Sequence, residues 1–110
     1  MLTLKHKRGA TLSYGGAITD DAGDAVDLTG YTITSEVRSA ERELVSTADI
    51  DLADQGTSPG VFTVEVSAAD TAGWTAGARL LFDVRVQSAS ARVDYTETIA
   101  IDVVERQTDP

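Results

Sequence analysis

Apolar residues recur at every second position through most of this 110-residue chain, and that period is the strongest constraint on its fold. Successive side chains of a strand point to opposite faces, so steady alternation describes a strand with one dry face and one wet face. Leu12, Tyr14, Gly16 and Ile18 share one parity. Tyr31, Ile33, Ser35 and Val37 share another, with Thr32, Thr34, Glu36 and Arg38 between them. Leu44, Ser46, Ala48, Ile50 and Leu52 repeat the theme more weakly. Phe62, Val64 and Val66 follow, then Leu80, Phe82, Val84 and Val86, then Val93, Tyr95, Ile99, Ile101 and Val103. Glu97 falls on the inward parity of the last run and predicts a bulge or an exposed strand end.

Turn chemistry punctuates these runs. Asp21-Ala22-Gly23-Asp24 turns a hairpin with Gly23 at positive φ, and Leu28-Thr29-Gly30 breaks the chain before Tyr31. Residues 54–60 form the most loop-like stretch, and residues 87–90 join two strands as a hairpin. One segment escapes the alternation: Ser67 precedes Ala68-Ala69-Asp70, a cap-like start for a single helical turn that Gly73 would end. Trp74 follows and is expected to plug an open end of the core. Six to eight short strands, with turns every 8–12 residues or so, predict an antiparallel β-sandwich. One domain over residues 1–105 and a polar, fraying tail over 106–110 is the expected organisation.

Charge narrows the function classes. A net charge of −9 and a pI near 4.3 repel phosphate backbones and anionic membrane surfaces, so neither nucleic acid nor membrane is expected as a partner. The first residues lack a signal-peptide apolar stretch, and no run approaches the roughly 20 residues that span a bilayer. The reading is of a soluble protein made in the cytoplasm. Without cysteine there is no disulfide and no thiolate metal site.

Chemistry-bearing residues are few. Asp20, Asp21, Asp24 and Asp27 offer oxygens to a weakly held cation. They lack EF-hand spacing, and turn formation is the preferred reading over calcium binding. His6, the single histidine, reads as a surface residue rather than a zinc ligand or catalytic base. Asp83, Asp94, Glu97 and Asp102 read as the wet face of a sheet rather than an acid–base pair. Gly15-Gly16 has no following helix to cradle a phosphate and marks a bulge or a close backbone approach. Tyr14, Tyr31 and Tyr95 all fall on the core parity. Lys5, Lys7 and Arg8, the one basic cluster, serve either as a solvated strand face, the preferred reading, or as a docking patch. No catalytic residue and no cofactor is expected.

Taken together, "KRGATLSY", the set Asp20, Gly23, Asp27, Leu28, Thr29, Gly30 and Tyr31, the "EVRS" strand and the later "AADTAGWTAGARLLFDVRV" resemble structural proteins of tailed bacteriophages. They are similar to the N-terminal immunoglobulin-like domain of upper-baseplate and tail proteins, over roughly residues 8–105. The resemblance implies an immunoglobulin-like sandwich of about seven strands with one short helical crossover. It implies a non-enzymatic virion component that assembles with other virion proteins and with copies of itself, with Lys5, Lys7 and Arg8 as interaction residues. A glycan-binding sandwich module is the alternative, favoured by exposed aromatic residues.

Overall fold

The computed structural model describes residues 1–108; Asp109 and Pro110, the end of the expected tail, lie outside the described residues. Eight strands and one helical turn follow in order: β1 (Thr3–Lys7), β2 (Leu12–Ala17), β3 (Thr32–Ser39), β4 (Leu44–Leu52), β5 (Val61–Val66), α1 (Ala68–Thr71), β6 (Arg79–Gln87), β7 (Val93–Tyr95) and β8 (Ile99–Val104). The strand order is β1-β8-β6-β3-β4-β5-β2, with β7 also on β6. The chain is an all-β sandwich, immunoglobulin-like in architecture, with a single short helical crossover.

β4 belongs to both layers. Its first half pairs with β3, and Asp49–Leu52 pair with β5. The first layer is therefore β1, β8 with β7, β6, β3 and the start of β4; the second is the end of β4, β5 and β2. Every pairing is antiparallel except one. β1 runs parallel to β8, because the chain enters at the edge of the first layer and crosses at once to β2 in the second.

The inward parities meet between the layers. Leu12, Phe62, Val64 and Val66 face Val37, Leu80, Phe82, Val84, Val86, Ile101 and Val103, all buried. Full burial of such a side chain is worth about 1.5–3 kcal/mol, so this interdigitated set dominates stability. Leu28 is buried from the loop before β3, which explains the break at Thr29-Gly30: Gly30 at φ 81° and Gly23 at φ 87° turn the chain so that Leu28, Tyr31 and Ile33 pack on the core. Gly15-Gly16 keeps regular register with β5, and the close approach is at Gly16, where the Phe62 ring occupies the space a Cβ would need.

The crossover forms as expected at its start. The Ser67 Oγ accepts from the Asp70 amide, but the turn closes at Ala72 rather than at Gly73. Trp74 is buried, donates from Nε1 to Ser46 Oγ at 3.0 Å, and stacks edge-on with His6 at 5.9 Å. Arg106, placed by sequence in the tail, lies against Gly9 and donates to the Arg8 carbonyl.

Candidate functional site

Two register shifts shape the outer face of the first layer. Between the Tyr95–Arg85 pair and the Ile99–Phe82 pair, three residues (Thr96, Glu97, Thr98) oppose two (Asp83, Val84). Glu97 thus sits in a bulge. The Thr96 hydroxyl latches it by accepting from the Val84 amide at 2.9 Å, while the Thr96 amide donates to the Val84 carbonyl at 2.9 Å. A second extra residue, Val45, separates the Val37–Ser46 and Arg38–Leu44 pairs. A one-residue shift turns every following side chain to the opposite face.

The consequence corrects two sequence readings. Tyr95, assigned to the core with Ile99, instead faces outward beside Arg85 and is 63% exposed. Leu44, assigned inward with Ser46, pairs with Arg38 on the outside and is 53% exposed. Tyr14 and Tyr31 do pack against the core.

Tyr95 borders a depression of about 930 Å³ lined also by Thr34, Glu36, Arg38, Arg42, Leu81, Asp83, Arg85 and Thr98, among others; Leu44 lies beside it, paired with Arg38. Glu36 and Asp83 stand directly opposite each other across β3 and β6, an unfavourable pairing of like charges. Arg38 compensates by pairing with Glu36 at 2.8 Å and also donates to the Arg42 carbonyl. Arg85 donates to Gln87 Oε1. Arg42 holds φ at 69°, a strained value for a side-chain-bearing residue, at the tip of the β3–β4 turn. Three arginines against two carboxylates leave a local positive excess in a chain of net charge −9. An exposed ion pair such as Arg38–Glu36 is worth about 0–1 kcal/mol and exchanges readily for a partner's carboxylate.

The residues singled out by sequence scatter. Asp20 Oδ1 accepts from the amides of Ala22 and Asp24, and Asp27 Oδ1 accepts from the amide and hydroxyl of Thr29. Those two Thr29 bonds, the hydroxyl's first, hold the Asp27 carboxyl below the usual aspartate value. These acids build the turns. Among the described residues, no group of three or more His, Cys, Asp or Glu side chains is placed to hold a metal ion. The basic N-terminal cluster divides. Lys5 and Lys7 are exposed on the outer face of β1, whereas the Arg8 guanidinium turns inward and donates to the carbonyls of Trp74 and Ala72. Arg8 also pairs with Glu105 at 3.2 Å. His6 donates from Nε2 to the Ala10 carbonyl.

Sequence reading missed Arg38, Arg42, Arg85, Leu44 and Tyr95 as a group. One signal was available: residues 9–37 and 43–78 contain no lysine or arginine. Every basic side chain therefore belongs to the first layer or to the loops beside it.

No family model matches this chain, and no curated protein matches it. Among solved structures it is similar to CopC from Methylosinus trichosporium OB3b, at 14% identity and a TM-score of 0.46, over 98% of this chain and 91% of that one. The expectation of a phage virion component is corrected on these findings: CopC is not a phage protein, and no family or curated match stands behind the resemblance. Among the described residues, no helix is long and apolar enough to cross a membrane.

Proposed function

We propose that the protein is a non-catalytic recognition domain that binds an acidic segment of a partner protein across the outer face of the first layer. The carrying observation is the pair of bulges. Each takes an apolar residue from the core parity, Leu44 on one flank and Tyr95 on the other, and sets it on a wet face beside Arg38 and Arg85. Bulges are used to re-aim side chains, and exposed tyrosine next to arginine is the composition of interface anchors. Tyr95 supplies contact area at small entropic cost, and Arg42 and Arg85 supply planar forks for carboxylates.

The test is site-specific crosslinking in the producing cell. A photoreactive phenylalanine analogue at Tyr95 is expected to give a discrete adduct with one partner. The same group at Asp21, on the far turn, gives none. Arg42→Glu together with Arg85→Glu removes the adduct while the thermal unfolding midpoint stays within a few degrees. Equal adducts from both positions, or an adduct that survives the double reversal, would sink the reading.

A further inference from the structure

The second layer ends in an open edge. Register with β5, phased by the Ile18 amide bond to the Gly60 carbonyl just beyond the ladder, places Leu12, Tyr14 and Gly16 in hydrogen-bonded pairs toward β5. Ser13, Gly15 and Ala17 therefore turn their amides and carbonyls away from the sheet, where the strand order stops. Natural edges are guarded by charge, proline or a covering loop. β2 has none of these: its outward side chains are a serine, a glycine and an alanine, all exposed.

Two surfaces flank that edge, and they differ in chemistry. On the outer side the next strands present Glu65 beside Ser13, then Asp49 beyond it, with Asp51 in the neighbouring row. A strand added to β2 would stand two strand spacings, about 9–10 Å, from Glu65. Only small side chains intervene, so lysine or arginine reaches across. On the inner side, half-buried Tyr14 and Ile18 pack at the margin of the core.

We infer that the β2 edge accepts an extended segment of a partner protein with alternating apolar and basic side chains, added as a further strand. The basic residues lie over Ser13 and Gly15 toward Glu65 and Asp49, and the apolar ones cover Tyr14. The strand at the opposite end of the order, β1, carries Lys5 and Lys7 and repels such a segment. A second copy offering its own β1 is the poorer occupant. Its Leu4 already packs on its own core and its His6 against Trp74, and two chains of charge −9 repel each other.

The probe is a blocked hexapeptide of alternating valine and lysine, with a valine–glutamate hexapeptide as comparison. Near saturation, amide exchange at Ser13, Gly15 and Ala17 slows roughly tenfold with the lysine peptide and is unchanged with the glutamate peptide. Gly15→Pro removes a free donor without touching a β5 bond and abolishes the response. Glu65→Lys with Asp49→Lys reverses the peptide preference. No slowing with either peptide, equal slowing with both, or slowing confined to β1 would overturn the inference. So would self-association of the free protein that protects the same three amides.

Discussion

Asp27 is where a single side chain converts a turn into a pH dependence. Its carboxylate collects both Thr29 donors, and protonation would forfeit them, so its folded-state pKa lies below the ordinary value of 3.8. With the folded value depressed, the unfolded chain binds the proton more readily. The Asp27–Thr29 contribution is therefore complete above the ordinary aspartate range and is lost as pH falls through the lowered folded value. A carbon-detected NMR titration is expected to place the Asp27 midpoint below 3.8 and to move it upward in Thr29→Val. A midpoint that does not respond to Thr29→Val would show that the hydroxyl bond is not formed. The density of acids between Asp20 and Asp27 invites a metal-site reading, and the bonds at Asp20 and Asp27 are local ones to neighbours two and four residues on. That outcome was legible beforehand, because aspartate at such spacing bonds its own backbone before it gathers around a cation.

At the level of elements, the β7–β8 bulge decides what the outer face looks like, and Thr96 holds it. The Val84 amide lies in β6, in the interior of the first layer, and its partner is a side-chain hydroxyl where a regular ladder would supply a carbonyl. Thr96→Val keeps the shape and removes the acceptor, leaving a donor unsatisfied. The expected cost is about 1–3 kcal/mol in urea denaturation, with Thr96→Ser recovering most of it. An unchanged midpoint in Thr96→Val would mean that water replaces the hydroxyl and that the bulge does not depend on it. The same element shows why the strands were readable from sequence and the site was not. Alternation located the strand runs and the core faces of β3, β5 and β6, because a buried face leaves a period of two. It flagged Glu97 as a misfit but carried the parity of Ile99 back to Tyr95 across it. An inserted residue alters no hydrophobicity count; it only reverses which side the remainder of the strand presents. Val45 hid Leu44 in the same way.

Across the whole molecule, charge is divided by layer. The acids Asp49, Asp51 and Glu65 lie on the outer face of the second layer, while lysine and arginine are confined to the first layer and its loops. The two layers meet at one end through crossovers 8–11 and 67–78, and Arg8 is the tie between them. Its Nε and Nη2 reach the carbonyls of Trp74 and Ala72 at 2.8 and 2.5 Å, and Nη1 meets Glu105 beyond β8. Buried Thr71 completes the closure, accepting from the Gly9 amide and donating to the Ala10 carbonyl. A docking role for Arg8 would need only its charge, whereas the tie needs the planar fork that lysine lacks. Arg8→Lys separates the two. It preserves the net charge of −9 and is expected to cost about 2–3 kcal/mol, because at least one charge-assisted bond to a buried end of the sandwich is lost. Lys5→Gln and Lys7→Gln, on exposed side chains, are expected to stay within about 0.5 kcal/mol of the parent in the same urea titration. If Arg8→Lys matched the parent while the two glutamine variants did not, the closure would have to be assigned to the β1 edge and not to the arginine.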